Sequence, residues 1–171
     1  RTLLINGLYP PVRTPYPVVR DKFVSAQEIT ADYSIPFISE DKLETGEMQE
    51  FLVTIQPDIL LVAGFPRRIQ ASILSAMRIA AVNLHPSLLP KRRGGTPTRW
   101  VIRCGDQITG VSAHLITNDF DAGDILIQEK IEVDPSWTVG ILEEITAQVM
   151  VKMSIQLIND IGCLLEQPSP Q

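Results

Sequence analysis

Cysteine is scarce in this chain. Cys104 and Cys163 are the two present among 171 residues, far apart and outside any C-x-x-C spacing. That excludes a disulfide framework and a recognised zinc motif. No apolar run approaches the roughly 18 residues that a membrane span requires. The opening Arg1-Thr2-Leu3-Leu4-Ile5 lacks the layout of a secretory signal. A reducing cytoplasm is the simplest home for such a chain. Positive charge is not in excess either: 15 Lys and Arg against 20 Asp and Glu leave a net charge of −5. This argues against a nucleic-acid platform, because phosphate binding needs a basic surface. No internal repeat is visible, and low-complexity sequence is confined to Gln167-Pro168-Ser169-Pro170-Gln171.

Hydrophobic residues make up 44% of the sequence, enough for one sizeable core, and one domain over residues 1–171 is expected. Short apolar strands alternate with amphipathic helices, the pattern of an α/β domain with a mostly parallel sheet flanked by helices. Strands are expected at residues 2–6, 35–38, 59–63, 80–84, 109–116 and 125–133. The last two flank a polar loop, 117–124, and read as an antiparallel addition to the sheet. Helices are expected at 25–33, with Ser25 and Glu28 in capping-box spacing, at 47–55 and at 70–77. Another runs from a Thr96 cap and Pro97 to Cys104. The last is capped by Thr138 and ended by Gly162, with Ile141, Ile145, Val149, Met153 and Leu157 recurring every four residues. Residues 8–17 are proline-rich and read as an exposed loop.

The most informative stretch is Asn83-Leu84-His85-Pro86-Ser87-Leu88-Leu89-Pro90. If the preceding apolar run is a strand, Asn83 and His85 are two residues apart and face one side. An amide donor and a proton carrier aimed at one point suit a tetrahedral oxyanion. Taken singly, each feature has a plainer reading. Asn-x-His is a polar loop start, Asp121-Ala122-Gly123 an Asx turn, His114 a satisfied strand histidine, Phe65 core packing, and Gly94-Gly95 backbone freedom near a cleft. The basic cluster Lys91, Arg92 and Arg93, with Arg67 and Arg68 elsewhere, is by default a solvated face. Beside an active site it would instead recognise an anion, either an acceptor phosphate or folate carboxylates.

Together these motifs are more specific. Asn83 to Pro90, Arg93-Gly94-Gly95-Thr96-Pro97, Thr109 to His114 and Asp121-Ala122-Gly123-Asp124-Ile125-Leu126 occur in one order and at tight spacing. Their arrangement resembles the catalytic core of the folate-dependent formyltransferase family, most clearly over residues 35–158. The resemblance implies a Rossmann-like formyltransferase fold, with Asn83, His85 and Asp121 as catalytic residues and His114 in support. It implies 10-formyltetrahydrofolate as the formyl donor and no metal. The donor's flat, polar-edged pterin would be read by Phe65, Pro66, Arg67, Arg68 and Ile69 in one turn and by Thr117, Asn118 and Asp119 in another. Ser87, Lys91, Arg92 and Arg93 would face the amine acceptor. Full domains of this family open with a strand, a Gly-rich turn and a helix before a second strand. Residues 2–7 look like that second strand, so the first strand-helix unit is expected to be missing. The C-terminal extension of transfer-RNA-modifying members is not visible.

Formyl transfer requires attack of an amine on the formyl carbon, stabilisation of an oxyanion and expulsion of the carrier nitrogen. An imidazolium at His85 and the Asn83 amide would donate to the oxyanion, and an Asp121 carboxylate nearby would favour the charged imidazole. Arg93-Gly94-Gly95-Thr96-Pro97 leans towards methionyl-transfer-RNA or nucleotide-linked amino-sugar acceptors and away from the purine-precursor type. The acidic balance leans away from transfer RNA. Rival readings are hydrolysis of formyltetrahydrofolate, a non-catalytic folate-binding remnant, and a metal-dependent hydrolase using His85, His114 and Asp121 as ligands. The oligomeric state is not legible.

Overall fold

The computed structural model of the chain describes residues 2–6 and 26–171. Among the described residues five strands form one sheet in sequence order. They are β1 (Thr2–Asn6), β2 (Ile59–Ala63), β3 (Ala80–His85), β4 (Ile108–Leu115) and β5 (Ile125–Glu132). The pairs β1–β2 and β2–β3 are parallel. The pairs β3–β4 and β4–β5 are antiparallel, so the last two strands are the expected addition to the sheet. The helices are α1 (Ala26–Asp32), α2 (Gly46–Ile55), α3 (Ala71–Leu74), α4 (Pro97–Cys104) and α5 (Val139–Glu166). Ser25 and the proline-rich 8–17 stretch lie outside the described residues.

The two faces of the sheet bury different residues, as strand alternation requires. On one face Leu61, Val82, Leu84, Val111 and Ala113 pack with Val101 of α4 and Leu142, Met153 and Leu157 of α5. On the other, Leu60 and Val62 pack with Met48 and Leu52 of α2 and Ile73 of α3. In β2 and β3 both faces are occupied, which is why these strands read as continuous apolar runs.

Several expected elements differ. Residues 35–38 form no strand. Pro36 lacks a ladder donor, and Ile35 and Phe37 are exposed. The helix expected over 70–77 is one turn of α3; after Leu74 the N–H groups of Ala76 and Met77 bond three residues back, to Ile73 and Leu74, the tighter winding that ends a helix. Thr96 does not cap α4 with its side chain, because it sits in the left-handed region at φ 64°. Pro97 does open that helix, and Gly105 closes it in a left-handed conformation.

Thr138 caps α5, accepting from the Ile141 N–H. Gly162 does not end the helix, since Ile161, Leu164 and Leu165 continue to pack on the core. The strict four-residue apolar spacing also misplaced the buried stripe. Each step of four advances about 40° around a helix, so Ile141 and Leu157 cannot share a face. Leu157 is buried and Ile141 is exposed, with Leu142 and Thr146 taking the inner positions. Among the described residues no helix is long and apolar enough to cross a membrane.

Candidate active site

The register of β3 against β4 builds the site. Asn83 pairs with His114 and His85 with Ser112, and cross-strand partners project on the same face. Asn83, His85 and His114 therefore share the α2/α3 side of the sheet, at the carboxyl end of β3. Crevices at this end of the strands are where α/β sheets bind ligands.

The loop after β4 supplies the fourth member. Asp121 adopts a left-handed backbone at φ 50°, which Asp tolerates better than most residues. Gly123 lets the loop fold back onto β4; a Cβ there would stand 1.9 Å from the Leu115 carbonyl oxygen. With the loop so folded, Asp121 Oδ1 lies 3.4 Å from Asn83 Nδ2 and 3.5 Å from both His85 Nδ1 and His114 Nε2. One carboxylate oxygen thus meets three polar side chains. Its other oxygen accepts from the Gly94 N–H at 2.8 Å. Gly94, at φ 93°, uses its conformational freedom to aim that amide, a more specific task than loop flexibility.

The backbone sets the proton positions on both imidazoles. A carbonyl can only accept, so the contact of His85 Nε2 with the Arg92 oxygen at 2.9 Å places a proton on Nε2. In neutral His85 the bare nitrogen is then Nδ1, facing Asp121. By the same logic His114 Nδ1 donates to the Leu115 oxygen at 2.9 Å, and Nε2 accepts from Asn83 Nδ2 at 3.1 Å.

Electrostatics correct one expectation. Burial pushes the His85 pKa below its ordinary 6.5, and this outweighs the upward pull of the Asp121 carboxylate and the Arg92 carbonyl. His85, only 5% exposed, is therefore neutral at neutral pH and not the resting imidazolium that the sequence suggested. The Asp121 pKa is lowered too, which for an acid favours the charged form. Burial alone would raise its pKa, but the His114 ring, the His85 ring and the Gly94 N–H together hold it below the usual 3.8. A carboxylate beside a neutral imidazole results.

The His85 loop is held by a buried network that sequence reasoning missed. Ser112 Oγ donates to the Ser87 oxygen at 2.7 Å and accepts from the Leu89 N–H at 3.0 Å. Gln128 Nε2 reaches from β5 to both Ser112 Oγ and the Leu89 oxygen. The available signal was the alternation that turns Ser112 and Gln128 to the same side as His114.

The expected ligand-facing residues fall into different environments. Ser87, assigned to the acceptor side, is fully buried and donates to the Lys91 oxygen at 2.7 Å; it holds the loop and does not face a cleft. Arg92 turns to Asp106 in a forked pair at 2.8–3.0 Å. Its guanidinium is thus engaged in structure, while its carbonyl holds His85. Lys91 and Arg93 are exposed, and Arg93 donates to the Gln171 side chain at 2.9 Å.

On the other side, Arg67 pairs with Glu40 at 2.6 Å and lies over the Phe65 ring. Arg68 lies over the Phe120 ring, 4.9 Å from its centre, and so links the 65–69 turn to the 117–121 loop. Phe65, Arg67, Arg68 and Ile69 line one shallow depression with Glu44 and Ile73. The Ile69 side chain is itself buried, and Pro66 is exposed. Thr117 Oγ1 donates to the Asp119 oxygen at 3.0 Å, and Asn118 and Asp119 are exposed at the loop tip. Among the described residues no group of three or more His, Cys, Asp or Glu side chains is arranged to hold a metal ion.

Comparison with known proteins gives the family. The formyl transferase family model matches residues 15–158. Methionyl-tRNA formyltransferase of Thermotoga maritima is 34% identical over 131 residues, covering 77% of this chain and 42% of that protein. The Orientia tsutsugamushi enzyme of the same name is 30% identical over 165 residues, covering 94% of this chain and 54% of that protein. The chain therefore spans about half the length of these relatives or less. Among solved structures, glycinamide ribonucleotide transformylase 1 of Geobacillus kaustophilus is 31% identical with a TM-score of 0.62, covering 72% of this chain and 69% of that one. Phosphoribosylglycinamide formyltransferase of Bacillus halodurans is 28% identical with a TM-score of 0.63, covering 71% and 66%. By sequence and fold, this chain belongs to the folate-dependent formyltransferase family.

Proposed function

We propose that this chain transfers a formyl group from 10-formyltetrahydrofolate to a primary amine, with Asn83, His85 and Asp121 as catalytic residues and His114 holding Asn83. One observation carries the reading: a single Asp121 oxygen lies within 3.4–3.5 Å of Asn83, His85 and His114. Family membership supports the reaction class.

The amine nitrogen attacks the formyl carbon, and the carbonyl electron pair moves to oxygen, where the Asn83 amide can donate. His85 Nδ1 takes the proton that the amine loses. The resulting imidazolium is stabilised by Asp121, so the carboxylate matters most once His85 is charged. As the bond from carbon to the carrier nitrogen breaks, the proton passes to that nitrogen, leaving a formamide, tetrahydrofolate and neutral His85. The neutral resting state of His85 suits this order, because a base must begin unprotonated.

The donor lies between the 65–69 turn and the 117–121 loop, where Phe65, Pro66, Thr117, Asn118 and Asp119, with the backbone of Ile69, meet its ring. Arg68 is the better partner for its carboxylates, because Glu40 and Glu44 already surround Arg67. Lys91 and Arg93 face the acceptor. The named relatives include enzymes of both the methionyl-tRNA and the phosphoribosylglycinamide kind, and a phosphate-bearing amine fits the basic loop of this chain.

The deciding assay incubates the chain with the formyl donor and a panel of amines, and follows both tetrahydrofolate and formamide. Wild type should form both in equal amounts with at least one amine. Tetrahydrofolate with no formamide would replace transfer by hydrolysis.

A further inference from the structure

The last residues of the chain make contacts that the reaction above does not use. Beyond α5 the chain returns to the sheet, where Ser169 and Ile125 exchange two backbone hydrogen bonds of 2.8 Å. This antiparallel bridge sits at the first residue of β5 and brings Gln171 between two loops. The Gln171 side-chain oxygen accepts from Arg93 Nη2 at 2.9 Å, and its side-chain nitrogen donates to the Gly123 oxygen. Both ends of one amide are used.

The two loops are those that place Asp121. Arg93 directly precedes Gly94, whose N–H holds Asp121 Oδ2. Gly123 is the second residue after Asp121. Residues 117–120 of the same loop are exposed, so little apolar burial holds it, and a loop of that kind opens readily without a tether. We propose that Gln171 is a positioning residue that ties the Arg93-Gly94 turn to the Asp121–Gly123 loop and so holds the Asp121 carboxylate against Asn83 and His85. The inference rests on the catalytic assignment of Asp121 made above. An amide is required, because a carboxylate accepts from Arg93 but cannot donate to the Gly123 carbonyl.

The test compares wild type with Gln171→Ala and Gln171→Glu in the full chain. Three quantities are read: exchange of the Gly94 amide, titration of the His85 ring, and steady-state formyl transfer. His85 faces Asp121, the His114 ring and the Arg92 carbonyl, so its midpoint reports where the carboxylate stands. In Gln171→Ala the Gly94 amide should exchange about tenfold faster, and the His85 midpoint should fall as Asp121 withdraws. Turnover should fall about tenfold, since small misplacements of catalytic groups are costly, with the donor Michaelis constant within about twofold of wild type. Gln171→Glu should lie between wild type and Gln171→Ala. A lower melting temperature with unchanged Gly94 exchange and unchanged His85 midpoint would overturn the proposal, leaving the tail a general stabiliser. If exchange and midpoint both move while wild type transfers no formyl group, the tie stands and the catalytic reading fails.

Discussion

The cluster at the carboxyl end of β3 and the charged loops around it are built in opposite ways. Asn83, His85, His114 and Asp121 are held by strand register and by backbone partners: the Arg92 and Leu115 carbonyls and the Gly94 amide. The surrounding arginines answer to side chains, Arg67 to Glu40, Arg92 to Asp106, Arg93 to Gln171 and Arg68 to the Phe120 ring. Backbone contacts cost little to preorganise and leave few alternatives, whereas exposed ion pairs are screened and exchangeable. The relatives that match this chain are of two kinds, methionyl-tRNA formyltransferases and phosphoribosylglycinamide formyltransferases.

The largest effects should therefore come from the cluster. Asp121→Asn and His85→Ala are each expected to lower turnover on the order of 100-fold or more while leaving the circular dichroism spectrum intact. Near-normal turnover by His85→Ala with its best acceptor would remove His85 from the chemistry. Gly123→Ala tests the same cluster through its backbone. The added carbon, 1.9 Å from the Leu115 oxygen, must displace the loop; overpacking of this kind costs about 1–3 kcal/mol, and turnover should fall with it. Retained melting temperature and turnover would show that Asp121 does not depend on the folded-back loop.

The contrast also predicts a pH signature. His85 has its pKa depressed in the folded chain, so it stays neutral there after its unfolded counterpart has protonated. Stability from this source is present above the ordinary 6.5 and is lost as pH falls from 6.5 towards the folded value. Melting temperature measured from pH 7.5 downwards should decline over that window in wild type and decline less in His85→Gln. Identical profiles would mean that His85 does not titrate as its burial requires.

Loop substitutions that spare the tie to Gln171 should act on binding and not on the chemical step. Lys91→Ala is expected to raise the Michaelis constant of a phosphate-bearing acceptor about tenfold, and the effect should shrink as salt increases; Arg93→Ala, which also cuts the contact with Gln171, should lower turnover as well. Equal impairment of a phosphate-free amine would show that this loop does not read phosphate. Smaller still is the difference between the two donor-side arginines. Arg68→Glu should weaken binding of a folate analogue measured by calorimetry, and Arg67→Glu should do so less, because Arg67 already has two carboxylate neighbours. The reverse order would exchange their roles.

Much of this was legible in the chain itself. The apolar runs at 59–63 and 80–84, Pro97 at the start of α4 and the Thr138 cap follow from local propensities that tertiary contacts did not override. The spacing of Asn83 and His85 placed them on one face before any fold was known. Local reading erred where a long-range partner decided the outcome. Residues 35–38 are apolar enough for a strand but pair with no strand among the described residues. Gly162 looks like a helix end until Leu164 and Leu165 find the core.

Sequence alone determined the fold class and the family and singled out the candidate site residues, because periodicity and motif order are properties of neighbours along the chain. The tertiary structure decided the states of those side chains. Whether His85 is charged depends on burial against Asp121 across a loop, and the Nε2 proton depends on a carbonyl seven residues away. Arg92, Ser87 and Gly94 were likewise sorted into scaffold or site by partners at 2.7–3.0 Å. Those pairings depend on how loops meet in space, and no spacing along the chain encodes them.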